Sequence, residues 1–242
     1  MHEPVWGSWG ATVIGPLHVK AHLPNQDAWM ARRYQWGNVI VVADGLGSKA
    51  HSAHGAKAAC LAIFDAARHY QRFPAAPVHD ILRLAHAYWL VRIAPFSAAE
   101  CATTCLFAIQ TADLITLGRL GDGMISVLAV KDNDDFLLAD DKQGSFSNYT
   151  TSLRSEFKPE QWDVTTVAAF AVNAVMLCTD GISDDLRPGS ERAFSRELHS
   201  AYLDVANAAR RKDLRRWLTD WPVPGHTDDK TIACLFRKGV SR

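Results

Sequence analysis

The chain has 242 residues, 48% of them hydrophobic, with 26 Lys+Arg against 26 Asp+Glu and a net charge of zero. That balance excludes a protein built mainly to hold nucleic acid or an acidic membrane surface, and no apolar run approaches the roughly 20 residues of a membrane span. The five cysteines form no Cys-x-x-Cys pair, and Met1-His2-Glu3-Pro4-Val5-Trp6 lacks the basic-then-apolar pattern of a signal peptide, so buried free thiols in a reducing cytoplasm are expected.

Residues 6–14 read as a first strand and 18–21 as a second, with Pro24 and Asn25 marking a loop or strand end. Residues 35–43 form a third strand, whose apolar run Val39-Ile40-Val41-Val42-Ala43 suits burial on both faces. Residues 48–70 are helical, with Ala56, Ala59, Cys60, Ile63, Phe64 and Ala67 on one face. Pro74 and Pro77 break that pattern before a second helix over 78–93, which Pro95 ends. Strands over 102–110, 112–117 and 123–130 follow with short connections, as in an antiparallel meander. The acidic groups 132–135 and 140–141 read as solvated turns, and polar residues 142–165 as a surface excursion that could flank a substrate. A strand over 172–179, helix over 190–221 with a break near Asn207, and a closing strand over 231–236 complete the chain. The basic run Arg210, Arg211, Lys212, Arg215, Arg216 reads as a solvated helix face. Without repeats or linkers, one domain over 1–242 is expected. The order of elements predicts an α+β sandwich, antiparallel sheets inside and helices outside.

Three strands run into Asp-Gly: Asp44-Gly45, Asp122-Gly123 and Asp180-Gly181. Asp-Gly usually marks a hairpin. Met124 to Val130 offers a return strand, so Asp122 alone reads as a turn residue. No strand returns after Asp44 or Asp180, and these two require another explanation. In all, six aspartates fall at strand ends or beside them: Asp27, Asp44, Asp122, Asp180, Asp184 and Asp228. Carboxylates brought together share protons or bind cations. Oxygen ligands without paired His or Cys favour Mg²⁺ or Mn²⁺ over zinc. Spacing alone therefore points to a metal-dependent hydrolase, with phosphoryl transfer to water as the natural chemistry of a two-metal site.

The ordered set Asn25-Gln26-Asp27-Ala28, Val41-Val42-Ala43-Asp44-Gly45-Leu46-Gly47, Ala102-Thr103-Thr104, Leu120-Gly121-Asp122-Gly123, Leu177-Cys178-Thr179-Asp180-Gly181-Ile182-Ser183-Asp184 and Asp228-Asp229-Lys230-Thr231 resembles the type 2C metal-dependent serine/threonine protein phosphatases, most closely the compact bacterial members. The resemblance implies a four-layer α-β-β-α sandwich, two antiparallel sheets flanked by helices. It implies two Mn²⁺ or Mg²⁺ ions and a weaker third. Asp44 would bridge the first two, with the Gly45 carbonyl, Asp180 and Asp228 as further ligands. Asp122, Asp184 and Asp180 would form the third site, and Asp27 would hold metal-bound water. A water activated by two metals would attack phosphorus directly, on a phosphorylated protein made by a cognate Ser/Thr kinase.

The chain also departs from the family pattern. Gln26 stands where many members have Glu, and a neutral amide is a poorer metal ligand. His22 stands where many have a phosphate-gripping Arg; acting when protonated, it would make the rate rise toward mild acid. Leu46 replaces the His of animal members, and Gly123-Met124 the frequent Ser-Arg, read as a packing change. His51 and His54 read as ordinary polar helix residues. A binding module that kept the fold and lost turnover is the rival reading, supported by His22 and Gln26 and opposed by the retained aspartates. A phosphatase for small metabolites is a third.

Overall fold

A computed structural model describes residues 5–73, 76–139 and 150–238. Pro74, Asp140, Asp141 and residues 142–149 of the expected polar excursion lie outside these.

Among the described residues, ten strands form two antiparallel five-stranded sheets. The first has the order β1 (Trp6–Val13), β10 (Lys230–Arg237), β9 (Val172–Cys178), β6 (Met124–Ala129), β7 (Phe136–Leu138). The second runs β2 (Asp27–Tyr34), β3 (Gly37–Asp44), β4 (Cys105–Gln110), β5 (Leu114–Leu120), β8 (Asp163–Ala168). Helices α2 (Ser52–Tyr70) and α3 (His79–Ile93) cover the second sheet; α5 (Glu191–Tyr202) and α6 (Asn207–Thr219) cover the first. This is the expected α-β-β-α sandwich.

The period of two explains the continuous apolar strands. Val39, Val41 and Ala43 pack under α2 and α3, while Ile40 and Val42 face the other sheet. In β9, Ala174, Met176 and Cys178 face α5 and α6, and Val175 and Leu177 face inward. Ile40, Val42, Leu106, Val175, Leu177, Ala233 and Leu235 make the layer between the sheets. All five cysteines are buried free thiols. Among the described residues no helix is long and apolar enough to cross a membrane.

The structure corrects several local expectations. Residues expected as a strand over 18–21 fall in a short helix, α1 (Pro16–Lys20), which Pro16 opens at the position where proline fits best. Strand β2 was not foreseen past Asn25; its exposed Arg32 and Arg33 give it no continuous apolar run. The meander is interrupted. β4 pairs with β5, but β6 leaves that sheet and pairs with β7 and β9 in the other. Asp122 therefore lies in a crossover between sheets, not in a hairpin. Asp135 is buried, not solvated: it accepts the Ala129 N–H at 2.8 Å and pairs with Arg196. Arg210 turns inward from the basic run and donates to the Leu203 and Val205 carbonyls. That satisfies the open end of α5 with a cation, which complements its dipole.

Trp89 is the largest fully buried side chain, and its indole N–H donates to the Gly55 carbonyl at 3.1 Å, joining α3 to α2. Replacing it by alanine leaves a cavity and removes that link between the helices. Trp89→Ala should lower the unfolding free energy by about 3–5 kcal/mol, measured by urea denaturation followed by circular dichroism.

Candidate metal centre

Register brings the acidic strand ends to one pole of the sandwich. Asp27 opens β2 directly opposite Asp44, which closes β3. Cys178 at the end of β9 pairs with Met124 at the start of β6 and with Ile232 near the start of β10. Asp122, Asp180 and Asp228 flank those positions. Since one sheet contributes Asp27 and Asp44 and the other Asp180 and Asp228, the site sits where the two sheets open.

Each carboxylate has local backbone support. Thr103 and Thr104 hold Asp44: the Asp44 N–H donates to Thr104 Oγ1 at 2.9 Å, and its carbonyl accepts from Thr103 Oγ1 at 2.7 Å and Thr104 N at 2.8 Å. Arg119, buried beneath the crossover, donates to the Gly121 carbonyl at 3.0 Å and pairs with Asp163. Gly121 has φ +106°, a conformation that costs glycine nothing. Thr150 donates to Asp122 Oδ2 at 2.7 Å. Asp180 begins the short helix α4 (Asp180–Ser183), and the Gly181 N–H donates to its Oδ1 at 2.7 Å. A Cβ on Gly181 would lie 1.9 Å from the Asp229 carbonyl oxygen, so only glycine lets this turn reach β10.

Asp44, Asp122 and Asp180 each bring a carboxylate oxygen within 4.8 Å of the other two. A cavity of about 250 Å³ continues from them and is lined by Asp180, Asp184, Asp185, Asp228 and Lys230. Behind Asp44, Asp27 is buried and accepts from Thr179 Oγ1 at 2.9 Å. The site therefore gathers five of the expected aspartates around one opening and sets the sixth, Asp27, against them from inside.

The electrostatics follow from that crowding. Burial, then repulsion from Asp27 and Asp180, holds the Asp44 carboxyl well above its ordinary range. Asp27 is pushed up to about 8, first by burial and then by Asp229, against the opposing hydrogen bonds from Thr231 and Thr179. Asp180 is pushed up to about 6 by loss of water and by Asp122 and Asp228. Asp228 is raised too, mainly by partial withdrawal from water. Such a group takes up protons in the absence of a cation and releases them to one. Gln26 adds a neutral oxygen: its Oε1 is buried without a hydrogen-bond partner among the described residues and points toward Gly47. The donors are all oxygen, which fits a hard divalent cation.

His22 stands apart. It is exposed, at φ 54°, in the turn after α1, and is not among the converging ligand atoms. His51 stacks on Phe96 at 3.7 Å and His54 lies 3.2 Å from the Arg92 carbonyl, so both serve the α2–α3 contact. Sequence reasoning assigned no role to Asp185, Asp229 or Lys230. Lys230 is fully buried, with Nζ 3.5 Å from Asp185 Oδ2 and 5.5 Å from the Trp221 ring. Asp185 also accepts from Trp221 Nε1 at 2.7 Å. A lysine beginning a strand after two aspartates was the available signal, because a cation there partly offsets the cluster.

A sequence profile described as "Protein phosphatase 2C" matches residues 14–221, a span that holds every one of the six aspartates except Asp228. No curated protein matches the chain by sequence. Among solved structures, a serine/threonine phosphatase of S. agalactiae superposes with TM-score 0.65 at 14% identity, over 96% of this chain and 100% of its own. The catalytic domain of the serine/threonine protein phosphatase PstP, in complex with 2 manganese ions, gives 0.62 at 16% identity, over 96% and 97%. A C. elegans sex-determining protein gives 0.65 at 18% identity over 95% of this chain, which spans 64% of that protein. At these identities the structural matches speak for the fold. The profile, covering most of the chain and the strand-end aspartates described above, speaks for descent: this chain belongs to the protein phosphatase 2C family.

Proposed function

We propose that the protein is a metal-dependent phosphoserine/phosphothreonine protein phosphatase with a dinuclear Mn²⁺ or Mg²⁺ site. The observation that carries this reading is the convergence of Asp44, Asp122 and Asp180, from three separate strand ends, within 4.8 Å. When bound, the divalent cations supply an acidified water and neutralise charge on the phosphoryl oxygens. Asp44 would serve both ions, with the Gly45 carbonyl as a further ligand, and Asp180 and Asp228 would complete the ligands of the first ion. Asp122 and Asp184, sharing Asp180, would hold a weaker third. Asp27, buried and fixed by Thr179, would orient water. His22, exposed at the mouth of the N-terminal turn, would meet the substrate phosphate.

No cysteine is placed for nucleophilic attack, since burial pushes the Cys60, Cys105 and Cys234 thiols far above their ordinary range. The substrate class is a phosphorylated protein, supplied by a Ser/Thr kinase, in the cytoplasm. The exposed opening beside Asp184 and Asp228 suits a phosphorylated side chain presented on a larger surface.

Two outcomes test this reading. Manganese-dependent hydrolysis of an aryl phosphate should fall on the order of a thousandfold in Asp44→Ala and in Asp180→Ala. That corresponds to several kcal/mol of transition-state stabilisation, at about 1.4 kcal/mol per decade. Because each substitution removes a repelling charge, both variants should melt at or above wild type without metal. Near wild-type turnover in either variant would overturn the assignment.

Stability without metal should also depend on pH in a definite direction. The folded pKa values of Asp27 and Asp180, about 8 and about 6, lie above the ordinary value near 3.8. The folded state therefore favours their protonated forms. Their stabilising contribution is complete below pH about 4 and is lost as pH rises through 6 and then 8. Metal-free protein should melt higher at pH 5 than at pH 8.5, and Mn²⁺ should raise the melting temperature most at the higher pH. A flat profile by scanning calorimetry would count against the crowded site.

A further inference from the structure

We propose that Asp229 is a positioning residue: it ties the backbone of Gly45 and the turn bearing His22 to the segment ahead of β10 that carries Asp228. The proposal rests on the phosphatase reading above, in which Gly45 and Asp228 serve the metal pair.

Asp229 is 2% exposed, and both of its carboxylate oxygens are engaged. Oδ1 accepts the Gly15 N–H at 2.7 Å and lies 2.9 Å from His18 Nδ1. Oδ2 accepts the Gln26 N–H at 2.6 Å. These partners come from the connection between β1 in one sheet and β2 in the other. Hydrogen bonds to an ionised acceptor are short and strong, and a carboxylate can clamp two backbone donors at once. A second contact secures the same segment, where the Leu17 N–H donates to the Thr227 carbonyl at 3.0 Å.

The constraint passes onward through one peptide. Gln26, held at its N–H by Asp229, accepts the Gly45 N–H on its carbonyl at 3.1 Å. The next residue, Asp27, pairs in register with Asp44. Two hydrogen bonds thus connect Asp229, just ahead of β10, to Gly45, just past the end of β3, across the opening between the sheets. There is no slack at the other end: a Cβ on Gly15 would lie 2.3 Å from the Asp228 carbonyl carbon. The His22 turn is in turn fastened to this segment, because the Leu23 N–H donates to the His18 carbonyl at 2.9 Å.

A residue that merely stabilised the fold would affect melting alone. A positioning residue must also affect the local order of Gly45 and the affinity for metal. The test uses the full chain as wild type, Asp229→Ala and Asp229→Asn. The asparagine preserves volume but turns an amide group toward one backbone donor. Asp135→Asn is the control, a buried aspartate in the β6–β7 connection. In metal-free protein, amide exchange at Gln26 and Gly45 should accelerate about tenfold or more in Asp229→Ala, while Met176 in β9 keeps its wild-type protection. The Mn²⁺ dissociation constant, by calorimetry, should rise about 10–100-fold, with Asp229→Asn intermediate. Asp135→Asn should lower the melting temperature and leave Gly45 exchange and Mn²⁺ affinity unchanged. If the alanine variant does not fold, the asparagine variant decides. Wild-type exchange and affinity in the Asp229 variants, or changes no larger than those of Asp135→Asn, would overturn the proposal while leaving an active enzyme. A wild type that binds Mn²⁺ yet hydrolyses no aryl phosphate, with the exchange and affinity changes still present in the Asp229 variants, would overturn the phosphatase reading and leave the coupling standing.

Discussion

Like charges repel more strongly as water is withdrawn from around them, and this chain places its carboxylates where that cost is high. Asp44, Asp122 and Asp180 meet at the mouth of the sandwich, with Asp27 enclosed behind them. Nothing in the packing of the sheets requires acids there. The rest of the pole reads as accommodation of that repulsion: threonines that fix the Asp44 backbone, an arginine under the crossover, and a buried lysine beside Asp185. A bound dication would remove the penalty, so the same crowding that costs the metal-free fold would favour metal.

The scaffold can bear this because its core is elsewhere. The apolar layer between the sheets and the two layers under the helices lie away from the acidic mouth and form separate clusters. Each strand gives alternate side chains to two of those layers, so a strand that ends in an aspartate is held firmly on both faces up to the residue before it. Val42 and Ala43 ahead of Asp44, and Cys178 and Thr179 ahead of Asp180, are buried. Rigid strands thereby deliver acidic ends to within a few ångströms of one another.

Much of this was legible in the residues. Continuous β-branched runs announced the doubly covered strands, and the small-residue face of α2 announced its contact with a sheet. The ordered aspartate motifs announced the site. Pairing was hidden wherever the local pattern was ambiguous. A strand after Asp122-Gly123 looks the same whether it returns beside its predecessor or crosses to the other sheet, because register is a long-range property. Strand β2 was hidden by Arg32 and Arg33 at an exposed sheet edge. Asp135 and Arg210 looked solvated because charge in sequence does not reveal a partner, and each finds one only after folding. Asp229 was passed over for the same reason: its donors, Gly15 and Gln26, are more than two hundred residues away in the chain.

Behind Asp27 runs a line of hydroxyls and one amide. Asn25 Nδ2 reaches Thr12 Oγ1 at 2.8 Å, Thr12 and Thr231 share a contact at 2.6 Å, and Thr179 touches both the Thr231 N–H and Asp27. Hydroxyl groups can donate in either sense by rotating about one bond. The Thr179 hydroxyl can therefore turn from donor to acceptor as Asp27 gains or loses a proton, with only hydrogens moving, while the N–H donors of Asn25 and Thr231 keep their sense. Behind the acidic mouth stands one rotor on a fixed frame, and a change of charge at Asp27 need not be answered by any repacking of the two sheets.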